Sequence, residues 1–308
     1  MPADDPTPPA AAGPADAAEV DADLERALDG DARALERVML AAQPLVYNLA
    51  LRMLGRREDA LDATQEILLR VATHLSAFRG ESRFTTWVYR IAVNALLDER
   101  RAGARRQGER SFTDLGLDLD AGMDKADALP VPVDPVTPEQ RLAAVELALV
   151  CTQGMLMALQ GPQRLAYVLG EVMELDGPEA ARIAGVTPAA FRQQLARARQ
   201  ALRDFVGAHC GLVSDRARCR CEGQLRTLDE RQVAWLGRRP LSGGTPAPLL
   251  HDALARTGLN EIRQLRSAGQ LFRAHPKQAG DPALVRGLLA HIDRTVFGGR
   301  GAGPAGTH

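Results

Sequence analysis

The stretch FRGESRFTTWVYRIAVN, residues 78–94, places Phe78, Phe84, Trp87 and Tyr89 within twelve positions of a 308-residue chain that has only seven Phe, two Trp and three Tyr. Arg79, Arg83 and Arg90 are interleaved with them. Flat rings stack on the faces of unpaired bases while guanidinium groups hold the phosphates, and this combination suits the capture of single-stranded nucleic acid. The competing use of an aromatic in a helical protein is core packing, which Phe84 or Tyr89 fits. Trp87 and Tyr89, two residues apart, point about 200° apart on a helix, so they cannot both face one core.

A second stretch, GPEAARIAGVTPAAFRQQLARARQAL (177–202), carries a different chemistry. A short helix should end at Gly185, which takes a positive φ without steric cost. Thr187 then caps a second helix, with Pro188 at its first position. Two helices joined by a tight glycine turn make a helix-turn-helix. Along the second helix Phe191, Leu195, Ala198 and Leu202 form the buried stripe, and Gln193, Arg197 and Gln200 lie opposite, flanked by Arg192 and Arg203. Gln and Arg suit base edges and phosphates, and the small Ala189 and Ala190 would let the backbone approach a major groove. A plain amphipathic helix with a solvated basic face is the bland alternative; the absence of any acid over residues 180–203, which hold five arginines, favours DNA.

A third cluster offers soft ligands. His209, Cys210, Cys219 and Cys221 fall within thirteen residues, enough for a tetrahedral zinc site, although His-Cys-x8-Cys-x-Cys is not a common finger spacing. Free thiols or a redox pair in a connector remain the alternative. Cys151 lies in an apolar helical run and reads as a buried structural thiol. Catalytic motifs are missing: there is no phosphate-cradling glycine loop, nucleophile elbow or His-Glu zinc motif, and the six histidines are scattered, so an enzyme is not expected.

The elements that must position these residues are helical. Period-two alternation is nowhere sustained, and three- and four-residue apolar spacing recurs from about 21 to 107, from 138 to 207 and, more weakly, from 224 to 297. In the first block Gly55 is a helix stop, Ala60, Ala63, Ile67, Val71 and Leu75 share a stripe, and Ser82 or Thr85 is placed to cap the aromatic helix. Residues 1–20 read as a disordered tail, as do 298–308, and the Pro- and Gly-punctuated 108–138 as an acidic linker without clear periodicity. The net charge of −1 hides local sorting: residues 100–110 hold five arginines against one acid, and 111–139 seven acids against one lysine. Nucleic-acid attraction depends on such patches, not on the total. No apolar run reaches the roughly 18 residues of a membrane span, and the N-terminus lacks a basic start and apolar h-region, so a cytoplasmic location and no membrane partner are expected.

Residues 59–106 and 160–206, through DALDATQEILLRVATHLSAFRGESRFTTWVYRIAVNALLDERR and LQGPQRLAYVLGEVMELDGPEAARIAGVTPAAFRQQLARARQAL, resemble the extracytoplasmic-function sigma factors of bacterial RNA polymerase. The resemblance covers roughly residues 20–207. It implies an all-α chain of two small helical DNA-binding domains: region 2, a bundle over 21–107, and region 4, the helix-turn-helix over 139–207. A flexible linker (108–138) would join them, and a helical extension with the His/Cys cluster (208–297) would follow. By the same resemblance Asp59, Asp62, Gln65 and Glu66 look like the residues that dock on the polymerase clamp helices, where acidic side chains suit a basic coiled coil. Phe78, Arg79, Arg83, Trp87, Tyr89, Arg90, Asn94 and Arg100 look like the −10 and melting surface. Thr187, Arg192, Gln193, Gln194 and Arg197 look like the −35 reader, although AFRQQ (190–194) departs from the Thr-Val-Lys-Ser-Arg type of recognition stretch. The implied partners are core RNA polymerase, through clamp helices and flap, promoter DNA, and in some members an anti-sigma factor; no cofactor is required, with zinc at the His/Cys cluster the one candidate. A helix-turn-helix regulator acting without polymerase is the alternative function. Compact members of the family end near residue 207, so the extension is expected to tune activity by packing on the DNA-reading blocks or on polymerase, or else to be a passive cap.

Overall fold

A computed structural model describes residues 14–103, 111–130, 138–228 and 281–292. Among them every extended regular element is helical, the one exception being an isolated bridge between Cys210 and Cys219. No helix among the described residues is long and apolar enough to cross a membrane.

Four helices build the first module. α1 (Pro14–Leu28) is tied to α2 (Ala32–Leu54) by Asp23, whose carboxylate accepts two bonds from Arg37, at 2.7 and 2.8 Å, and another from Arg26. The Arg37 bonds, reinforced by Arg26, hold that carboxyl down at about 2. Asp31 caps α2 by accepting from the amides of Arg33 and Ala34, and α2 stops at Gly55, whose φ of 82° is the left-handed conformation that glycine adopts freely. α3 (Arg57–Thr73) and α4 (Phe84–Gly103) complete the bundle, with Val38, Met39, Val46, Ile67, Leu68 and Val88 at its centre. Ser82 does not cap α4; its hydroxyl donates to the Arg83 carbonyl at 3.4 Å.

The expected linker contains a helix. α5 (Phe112–Ala128) starts in a reciprocal capping box: Ser111 Oγ accepts the Asp114 amide, and the Asp114 carboxylate accepts the Ser111 amide. Its apolar residues Phe112, Leu115, Leu119, Met123 and Ala126 recur at three- and four-residue spacing beneath the acids. Likewise α1 begins at Pro14, ahead of the expected boundary at 21. Residues 1–13 and 298–308 of the expected tails, 108–110 and 131–137 of the expected linker, and 229–280 and 293–297 of the expected extension lie outside the described residues.

The second module runs through α6 (Pro138–Ala158), α7 (Gly161–Tyr167), a π-turn at Val168–Val172, α8 (Gly177–Ala184) and α9 (Pro188–His209). α10 (Cys221–Leu225) and α11 (Pro282–Ile292) follow. Both modules contribute to one apolar core, in which Met39, Leu49 and Leu96 join Tyr167, Phe191 and Leu202. Arg164, 4% exposed, is the polar joint between them. Its guanidinium donates to the carbonyls of Leu156, Met157 and Leu159 at the end of α6 and, at 2.7 Å, to that of Met53 near the end of α2. A buried cation is tolerated here because helix C-termini present unpaired carbonyls and the negative end of the dipole.

Candidate nucleic-acid interface

α4 sorts the aromatic–arginine stretch by helical angle. The Arg83 carbonyl accepts the Trp87 amide at 3.1 Å, so Arg83 already belongs to the first turn. Arg83, Trp87, Arg90 and Asn94 then fall within about 60° of one another. Arg83, Arg90 and Asn94 are exposed and Trp87 is half-buried, making a continuous cationic and aromatic stripe. Arg79 is exposed in the preceding loop, which turns at Gly80 with a φ of 70°. Arg100 lies within α4, but its side chain is outside the described residues.

Trp87 is propped by its neighbours. Its ring centroid lies 5.5 Å from that of Phe78 and 6.0 Å from that of Phe84, and those two meet edge-on at 5.9 Å. Such a cluster fixes the indole without burying it. Tyr89 takes the core alternative in this arrangement: it is 8% exposed, and burial pushes its hydroxyl up to about 12. What covers it is the second module. α4 packs against α8, and Thr86 Oγ1 donates to the carboxylate of Glu179. Buried Arg52, which donates to the Asn48 carbonyl at 3.2 Å, is close enough to offset part of that shift. Sequence reasoning missed this joint, since neither Thr86 nor Glu179 belongs to a motif.

The helix-turn-helix forms as read. Asp176 caps α8 through the Glu179 amide at 2.6 Å, Gly185 closes it with a φ of 67°, and Thr187 Oγ1 accepts the Ala190 amide at 3.2 Å to start α9. Phe191, Leu195, Ala198 and Leu202 are buried; Arg192, Gln193 and Arg197 are exposed and Gln194 is half-buried. Arg199, by contrast, is held by Glu171, and Gln200 bonds to Arg203 and Asp204.

On α3, Asp62, Gln65 and Glu66 are exposed and Asp59 is half-exposed. Asp59 lies 3.7 Å from Arg56, and Glu66 pairs with Arg70 one turn on. Exposed pairs of this kind contribute little to stability.

The three cysteines of the His/Cys set come together, but His209 does not join them. The His209 ring stacks on Phe205, one turn back in α9, with centroids 4.8 Å apart, and lies 3.8 Å from the Asp120 carboxylate of α5. The cysteines face elsewhere: Cys210, Cys219 and Cys221 line a cavity of about 30 Å³ with Cys151 of α6, beside Leu119 and Met155. All four are free thiols, and burial pushes each of them up, which favours neutral, unreactive groups. No group of three His, Cys, Asp or Glu among the described residues is placed to hold a metal ion.

Comparison with known proteins gives a coherent set of likenesses. Residues 39–106 match the family described as Sigma-70 region 2. The chain is 27% identical over 182 residues to the ECF RNA polymerase sigma factor SigW of Bacillus subtilis, covering 58% of this chain and 92% of that protein. It is 30% identical over 180 residues to the ECF RNA polymerase sigma factor SigM of Mycobacterium tuberculosis H37Rv, covering 58% and 80%. With the ECF RNA polymerase sigma factor SigE of Mycolicibacterium smegmatis the identity is 32% over 164 residues, covering 53% and 58%.

Proposed function

The chain belongs to the ECF sigma factors of RNA polymerase, and from that premise we propose how its two modules divide the work of promoter recognition. It binds core polymerase and promoter DNA, and directs initiation without catalytic activity or a required cofactor of its own, in the cytoplasm. The first module, residues 21–107, docks on polymerase through the acidic face of α3 and takes the −10 element. The second, 139–207, reads the −35 element as duplex.

The observation that carries this division is the stripe of Arg83, Trp87, Arg90 and Asn94 along α4. Its guanidinium groups are free to hold a phosphate backbone while the indole, propped by Phe78 and Phe84, offers a flat face to a base that has left the stack. α9 offers the other half: Arg192, Gln193 and Arg197 stand exposed on a helix whose small first turn fits a major groove. A regulator that reads duplex without polymerase would need α9 alone and would have no use for the α4 stripe.

Reconstituted initiation with core polymerase separates the two roles. Trp87→Ala is expected to lower open-complex formation about tenfold while leaving closed-complex affinity within about twofold, since one base–aromatic stack is worth roughly 1–3 kcal/mol. Arg197→Ala is expected to weaken closed-complex binding and to reduce the salt slope by about 1, as loss of one phosphate contact does. Equal effects of both variants on both steps would overturn the division.

A further inference from the structure

We propose that the C-terminal helix α11 is a built-in competitor for the polymerase-docking face of α3, so that core polymerase must displace it to engage. The proposal rests on the assignment of Asp59, Asp62, Gln65 and Glu66 to docking, and concerns how that face is regulated.

α11 is seated on the first module, far in sequence from the helices it touches. Asp281 caps it by accepting the Ala283 amide at 2.8 Å, and the Asp281 amide itself donates to Gln43 Oε1 of α2. Val285 has no exposed surface and joins the same core as α2 and α3, with Leu284, Leu288 and Leu289 packed half-buried around it. Arg286 lies 3.5 Å from Glu36 of α2. One apolar anchor, a short stripe of leucines and two polar pins make a seat that is specific in register yet small enough to be vacated.

The position of that seat gives it a consequence. α11 packs against both α2 and α3, and a cleft of about 560 Å³ separates it from the polar face of α3. Asp62, Gln65 and Glu66 form one wall of the cleft, and Ala283, Gly287 and His291 form the other. Three of the four docking residues therefore look at α11. With its side chains a helix is about 10 Å across. A partner helix must also bring its axis within about 8–10 Å of α3, where α11 already stands. A coiled coil cannot reach these carboxylates until α11 leaves. The apparent affinity for polymerase is then the intrinsic one scaled by the fraction of chains with α11 released.

The test uses the full chain and core polymerase. Val285→Asp places a carboxylate in the apolar seat and is expected to tighten the apparent Kd about tenfold. Arg286→Glu, an exposed change that sets two acids against each other at Glu36, is expected to tighten it about two- to fivefold and to raise amide exchange in α3. Should Val285→Asp fail to fold, judged by circular dichroism and thermal unfolding, Arg286→Glu decides alone. Asp62→Arg combined with Glu66→Arg reports on the docking assignment independently, and is expected to weaken binding. If this double variant weakens binding while neither α11 variant tightens it, the competition is overturned and the docking face stands. If the double variant binds as the parent does, the docking assignment fails and the competition falls with it.

Discussion

Glu146 on α6 is partly buried, and burial alone pushes its carboxyl up to about 7. A carboxyl whose folded value lies above its unfolded one binds extra protons in the native state. Stability therefore falls as pH rises from the ordinary glutamate range through about 7. Glu146→Gln removes that ionisation: its melting temperature should exceed the parent's by a few degrees at pH 8 and match it near pH 4.5. The gain is about 1–2 kcal/mol after discounting for solvent that still reaches the group. Equal melting temperatures at pH 8 would contradict it. Residue-level reading of the sequence succeeded where helical angle decided the outcome, as in the opposed fates of Trp87 and Tyr89, about 200° apart. It failed at His209, because nearness to three cysteines in sequence says nothing about direction. The His209 ring packs closely on Gly116 of α5, where a Cβ would stand 3.0 Å from it, tighter than an ordinary contact.

α5 is the element that the sequence concealed, and the reasons are physical. Seven acids and two internal glycines over residues 111–139 weaken the helical signal. The tertiary structure uses one of them for a close approach: a Cβ at Gly122 would displace the amide group of Gln224, which donates to the Leu119 carbonyl at 2.6 Å. Arg218 then gathers the acids, bonding Asp124 and Asp127 at 2.6 Å each. Elements with strong stop and start chemistry, such as the end of α2 at Gly55 and the Gly185–Thr187 turn, were legible because single residues fix them. The helix at 112–128 has a testable signature. Its amides should exchange slowly in the full chain, and Ser111→Ala, which removes one side of the capping box at a cost of about 1 kcal/mol, should speed exchange in the first turn about fivefold. Fast exchange throughout 112–128 in the parent would restore the flexible linker.

At the scale of the whole molecule the modules form a single closed body, and that conflicts with their joint task. The −10 and −35 elements lie about 25 base pairs apart, on the order of 80 Å at 3.4 Å per pair. Here α4 touches α8 directly, Thr86 donates to Glu179, and Tyr89 of the same helix is buried. If α4 takes the −10 element and α9 the −35 element, as proposed, engagement with polymerase and promoter is expected to part α4 from α8. Parting uncovers part of the apolar core that the modules share, while the polar side of the joint is lightly tied. Arg164 spends three of its four carbonyl contacts within the second module and only one, to Met53, across the gap, so separation returns one carbonyl to water and leaves the guanidinium satisfied. Fluorescent labels at the exposed positions Thr73 and Ala208 should therefore transfer energy efficiently in the free chain, and poorly once core polymerase and a promoter duplex are added. Glu179→Gln, which weakens the bond to Thr86, should shift the free chain part of the way toward the low-transfer state. Transfer that stays as efficient on the promoter as in the free chain would mean that the two modules never separate, and that the closed body reads only one element at a time.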